Sequence, residues 1–287
     1  MTSSPRCADL AVDDALEGTA PPADRWFLVE HPGPWGRVAF AESGLAPGVV
    51  TALDRWARSE NGRVLLIRRH GRRAGPASRR WFRVDSRPGC ESVRTGTASD
   101  DRQLLAALSA PGTVVDGPLH LVCAHGRHDT CCAVRGRPLA AALTAASPDR
   151  TWECSHIGGC RFAPALVLLP HGLTFGGVPP ASAAALAAGY AEGVLDARHL
   201  RGRSSLPPAA QAAQHHARLA TGAPGGDALR VVAMESPAPG RWEVVLADPD
   251  VVVELAERRV DAGRPLTCAA VAPGWMRVFD VITVKVT

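Results

Sequence analysis

Five of the eight cysteines, Cys123, Cys131, Cys132, Cys154 and Cys160, fall within 38 residues, whereas Cys7, Cys90 and Cys268 stand alone. With no basic start and apolar stretch at the N-terminus to mark secretion, such crowding points to a metal site or redox chemistry, not to disulfide staples. Two stretches carry it, LVCAHGRHDTCC and TWECSHIGGC. Taken as a set, Cys123, Cys132, His156 and Cys160 are spaced by eight, 23 and three intervening residues. Three thiolates and an imidazole suit an iron–sulfur cluster, for which thiolate is the usual ligand and imidazole can replace it. A helix that opens at Cys132 favours its thiolate. Gly158 and Gly159 let backbone amides approach sulfur closely. Two neighbours compete for these places: Cys131 adjoins Cys132, and Cys154 shares a strand face with His156 and could ligate in its stead.

Replacing one thiolate by imidazole removes a negative charge, so an added electron meets less repulsion. The expected reduction potential is higher than that of an all-cysteine plant-type cluster. A free ring nitrogen on His156 would couple protonation to reduction, and a potential that stays flat between about pH 6 and 9 would dismiss that idea.

These residues need elements that bring two loops to one sheet end. Leu119–Cys123 reads as a strand, and a helix follows from about Cys131 to Ala146 with Asp129 or Thr130 as N-cap. A short strand at Trp152–Ser155 leads into the His156–Cys160 loop. Ala165–Leu169 and Leu173–Phe175 form a strand pair, and a helix from Ala181 to about Leu195 closes the unit. Upstream, strands at Trp26–Val29, Val64–Ile67 and Trp81–Val84, with helices at Pro47–Arg58 and around Leu104–Leu108, give the same order at a period of about 90 residues. The expected architecture is α/β, in three parts. Residues 1–112 form an α/β unit after a loosely packed lead-in, 113–222 the cysteine-bearing unit, and 223–287 a small β-rich appendage.

The bulk numbers narrow the function. Apolar residues make up 46% and charged residues 21% of 287, a folded globular profile, and no apolar run is long enough to span a bilayer. A cytoplasmic location is expected, with no membrane partner. Net charge is only +4. The arginine run at Arg68, Arg69, Arg72, Arg73, Arg79 and Arg80 reads as a solvated hairpin, or as a docking face for an acidic partner. Nucleic acid is not expected, for no recognition signature accompanies it. His125 and His128 read as polar loop residues that could bond to the surroundings of the cluster, and His215 and His216 as surface. Gly33-Pro34-Trp35-Gly36 reads as a turn with an anchoring indole.

The motifs resemble the sucrase/ferredoxin-like family, whose members look like thioredoxin-fold ferredoxins. Cys123-Ala-His-Gly, Asp129 before Cys131-Cys132, Trp152-Glu153, Ser155-His156-Ile157-Gly158-Gly159, Arg161-Phe162-Ala163-Pro164, Leu169-Pro170-His171-Gly172 and Leu200-Arg201-Gly202-Arg203 carry the likeness over about the first 220 residues. The resemblance implies a thioredoxin-like [2Fe–2S] domain with Cys123, Cys132, His156 and Cys160 as ligands, and it selects Cys132 over Cys131, which is left as a small buried residue. Fungal relatives have histidine at the last position, so Cys160 makes this site three-cysteine, one-histidine, with an intermediate potential. The function so implied is single-electron transfer between a reductase and an oxidised acceptor, by a carrier and not by an enzyme in itself. Two other readings stand beside it. One is structural zinc on the same ligands, although the eight-residue gap is long for zinc. The other is a thiol–disulfide oxidoreductase, although the chain has no C-x-x-C.

Overall fold

A computed structural model describes residues 5–71 and 78–287. The first half runs β1 (Arg25–Glu30), α1 (Pro47–Ser59), β2 (Gly62–Arg68), β3 (Arg79–Asp85), β4 (Ser92–Ala98), α2 (Asp101–Ala106) and β5 (Thr113–Val114). The second runs β6 (Leu119–Cys123), α3 (Thr130–Ala146), β7 (Thr151–Cys154), β8 (Ala165–Leu169), β9 (Leu173–Gly176), α4 (Ala183–Ala191) and β10 (Leu200–Arg203). Each half has the same strand order, β2-β1-β3-β4-β5 and β7-β6-β8-β9-β10, with one parallel pair followed by antiparallel ones. An antiparallel contact between β2 and β7, Ile67 opposite Cys154 and Arg68 opposite Glu153, fuses them into one ten-stranded mixed sheet.

Sequence pattern explains the layers. The apolar runs of β1, β6 and β8 are buried on both faces, as interior strands require. On one face Phe27, Val29 and Leu66 meet Val49 and Leu53 of α1, which starts with Pro47 in its first turn. On the same face of the second half, Val122, Leu166 and Leu168 meet Leu139 and Leu143 of α3. His120 of β6 is 1% exposed, and neither ring nitrogen has a partner among the described residues. The opposite face curls on itself: Phe82 of β3 lies edge-on to Trp152 of β7 at 5.6 Å, and Ser86 Oγ donates to the Pro170 carbonyl. Its core includes Trp26, Leu28, Leu121, Trp152 and the buried cysteines.

Then come α5 (Pro208–Thr221), β11 (Arg230–Ala238), β12 (Arg241–Ala247), β13 (Val251–Asp261) and β14 (Trp275–Val286). The four strands form an antiparallel meander, and α5 packs Ala209, Ala213 and Ala217 against Val244, Val253 and Phe279. Among the described residues no helix is long and apolar enough to cross a membrane.

Several expectations need correction. The lead-in is packed, not loose: Cys7, Ala8, Ala11, Ala20 and Ala23 are buried, and Asp14 pairs with Arg161. Arg68 is not solvated, because its Nε donates to Glu153 Oε2 at 2.8 Å and its guanidinium lies over Trp35. Arg69 stacks on Trp152 and donates to the Thr151 carbonyl. Arg72 and Arg73 lie outside the described residues. His215 and His216 are half-buried on α5 instead of standing on the surface.

Candidate metal centre

Cys123 ends β6, and after the loop 124–129 Asp129 caps α3, its carboxylate accepting from Cys131 N at 2.9 Å. That cap fixes the first helical turn and so the direction of Cys132. Gly136, one turn further on, lies against the Cys123 carbonyl, a close approach that any Cβ would obstruct. β7 leads into the second loop, where Gly158 (φ 118°) and Gly159 (φ 74°) take left-handed conformations before the turn Cys160–Phe162.

The two loops converge. Donor atoms of Cys123, Cys132 and His156 lie within 4.8 Å of one another, and Cys160 Sγ is 3.6 Å from His156 Nδ1. Cys123, Cys132 and Cys160 are each 2% exposed, while His156 is half-buried. The Cys132 thiol holds its proton, raised by hydrogen bonding to Cys123 and Cys160. The same contact from Cys132 lowers Cys123, against burial, with help from His156 and the Ile157 amide. Cys160 is lowered to about 7, chiefly by Cys132 and then by His156. Burial opposes charge on His156, but the sulfurs of Cys123 and Cys160 prevail and raise it to about 9. Cys123 and Cys160 are thus the thiols poised to ionise, while Cys132 and His156 keep protons that a bound cation would have to displace.

Positive charge backs the second loop. Arg201, 2% exposed, donates from Nη1 to the Gly158 carbonyl at 3.0 Å and from Nε to Thr19 Oγ1 at 3.0 Å. Burial pushes its pKa down to about 9, so it remains a cation at neutral pH. Arg63 Nη2 donates to the His156 carbonyl at 3.4 Å. Both guanidiniums offset negative charge collected on the sulfurs.

His125 and His128 both touch His156, in keeping with loop residues that bond to the surroundings of the site. His125 is buried, donating from Nε2 to the Gly36 carbonyl at 2.6 Å while Nδ1 accepts from the His156 amide at 3.2 Å. Those partners fix its tautomer and orient the backbone of His156. His128 stacks on His156 with centroids 3.7 Å apart and planes at 21°. The sequence signals were their place in the cysteine-bearing loop and, for His125, the Cys123-Ala-His-Gly motif. Cys154 is fully buried beside Cys123 on the neighbouring strand and belongs to none of the groups of clustered donors. Cys131 points away from the quartet, toward Cys7 and Cys268, both read from sequence as solitary.

No curated protein and no solved structure matches this chain. A family model described as sucrase/ferredoxin-like matches residues 16–202, well over half the length, and spans all four residues of the quartet. The chain belongs to the sucrase/ferredoxin-like family.

Proposed function

We propose that this protein carries single electrons on one [2Fe–2S] cluster held by Cys123, Cys132, His156 and Cys160 in a thioredoxin-like second half. The observation that carries the reading is the convergence of three buried thiols and one half-buried imidazole from two loops at one sheet end. The donor set fits: soft sulfur predominates, the Ile157 amide points at Cys123, and two guanidiniums lie behind. When bound, the cluster supplies a one-electron couple.

The chain's own residues shape its use. Burial of the three sulfurs excludes water from that side. His156 leads outward and is extended by His128, so this histidine edge is where a reductase and then an oxidised acceptor would dock. His125 holds the His156 backbone, and Arg201 and Arg63 hold the loop and favour the added electron.

The test is anaerobic purification with iron and sulfide assays and EPR. Near two irons per chain and a signal seen only after reduction would support the proposal. A colourless, iron-free protein after reconstitution would overturn it. Mononuclear zinc on the same quartet is the second reading, favoured by the close approach of the Cys123, Cys132 and His156 donors. It would appear as zinc that His156→Ala abolishes.

A further inference from the structure

Three cysteines that the quartet does not use meet in space from opposite parts of the chain. Cys7 Sγ lies 3.6 Å from Cys131 Sγ, Cys131 Sγ 3.3 Å from Cys268 Sγ, and Cys268 Sγ 3.5 Å from Cys7 Sγ. The Asp129 carboxylate completes the group, its oxygens 3.9 and 3.8 Å from Cys7 Sγ. All four donors fall within 4.8 Å of one another. Asp129 is held in place, accepting from Cys131 N at 2.9 Å through one oxygen and from Cys268 N at 2.8 Å through the other.

We propose that Cys7, Cys131, Cys268 and Asp129 form a second metal site, taking one zinc ion in tetrahedral coordination. A disulfide would account for two of the three thiols at most and would leave Asp129 unexplained, and each separation exceeds the about 2.05 Å of a disulfide. A tetrahedral zinc with about 2.3 Å bonds to sulfur sets its sulfurs about 3.8 Å apart, a few tenths of an ångström beyond the observed edges. Three thiolates and a carboxylate select zinc over the oxygen-loving divalent cations. Each Asp129 oxygen accepts one amide and keeps a lone pair for metal. Cys268 is exposed, on a cleft lined by Arg6, Leu10, Thr130 and Thr267, which gives the ion a way in.

The site would act as a clamp. Cys7 belongs to the lead-in, Cys131 to the first turn of α3, and Cys268 to the loop between β13 and β14. A shared ion ties all three together beside Cys132. The ion pairs of Asp14 with Arg161 and Arg264 join two of these regions, the lead-in and the β13–β14 loop, and tie them to the quartet's second loop.

The experiment compares wild-type protein with Cys7→Ser, Cys268→Ser and His156→Ala, each made with iron and zinc supplied and assayed for both metals. Stoichiometric zinc in the wild type, lost in Cys7→Ser and in Cys268→Ser but kept in His156→Ala, is the expected result. Iron should be unaffected by Cys7→Ser and Cys268→Ser, so the two sites are read separately. Should either serine variant fail to fold, alkylation of wild-type protein with and without zinc decides: bound zinc should protect Cys7, Cys131 and Cys268 in peptide mass maps. Zinc that is absent, or insensitive to Cys268→Ser, overturns the proposal. So does a disulfide between any two of the three thiols in protein purified without air.

Discussion

Gly136→Ala is the substitution on which local propensity and tertiary geometry disagree in sign. Alanine in a helix interior is worth about 1 kcal/mol over glycine, so α3 alone would be stabilised. At Gly136, however, an added Cβ would fall on the Cys123 carbonyl oxygen, with the carbonyl carbon 3.1 Å away and Ala124 Cα at 3.7 Å. The obstacle is backbone, so no rotamer change relieves it. Restoring an ordinary carbon–oxygen contact of about 3.3 Å requires α3 and the end of β6 to separate by roughly 1 Å. Overpacking of this kind costs typically 1–3 kcal/mol, and the rigid neighbour argues for the upper end. Net destabilisation should be about 2 kcal/mol, a fall of roughly 3–4 °C in the melting midpoint of a chain this long. Since Cys123 and Cys132 sit on the two separated elements, iron occupancy should fall as well. Thermal denaturation and an iron assay on the same preparation test both parts. A variant as stable as wild type, with full iron, would refute the packing of α3 on β6.

Other expectations follow from the same structure. His120 is buried without a partner among the described residues, and burial and then Arg150 push its pKa down from 6.5 to about 4. Because the folded state resists the proton, stability is intact above pH 6.5 and falls as pH drops toward 4, approaching a loss of about 3 kcal/mol. His120→Leu should remove that share of the acid sensitivity in denaturant titrations at pH 7 and 4.5, and an unchanged slope would count against it. His156→Cys restores a negative charge and should lower the midpoint potential by on the order of 100 mV, read by EPR-monitored titration; no shift would exclude His156 as a ligand. Arg201→Met strips the Gly158 carbonyl of its donor and the loop of a cation. A stability loss of about 2–4 kcal/mol is expected, with a lower potential in whatever folds; an unaltered potential would mean that its charge is not felt at the site.

Legibility from sequence followed how local the cause was. The interior strands β1, β6 and β8 announce themselves as continuous apolar runs, and α1 by its spacing of Val49, Leu53 and Trp56. β4 escaped because SVRTGTA pairs polar side chains near the sheet's margin, where little apolar pattern is needed. β13 escaped because Glu257, Arg258 and Arg259 disguise the alternation of Val251, Val253 and Leu255 that points inward. The quartet was legible because its members bracket two short loops. The Cys7–Cys131–Cys268 group was not, since its members stand 124 and 137 residues apart and only the tertiary fold joins them. His125 looked like a polar loop residue because nothing in its neighbourhood reveals the partner Gly36.

That last contact shows what the doubled topology does for the site. β2 and β7 pair antiparallel only through their final residues, Ile67 with Cys154 and Arg68 with Glu153. The C-terminal ends of both parallel strand pairs therefore meet at the middle of the sheet, and so do the loops that leave them. The loop after β6 carries Cys123, His125 and Cys132; its counterpart after β1 carries Trp35 and Gly36, with Trp35 edge-on to His125 at 5.8 Å and Gly36 accepting its proton. Arg68 and Glu153, paired at the junction itself, hold the two ends together beneath Trp35. The first half contributes no member of the quartet, yet its loop locks the histidine that orients His156. A truncated second half would lose that lock along with the edge partner of β7, which gives the first half a role at the site without any ligand of its own.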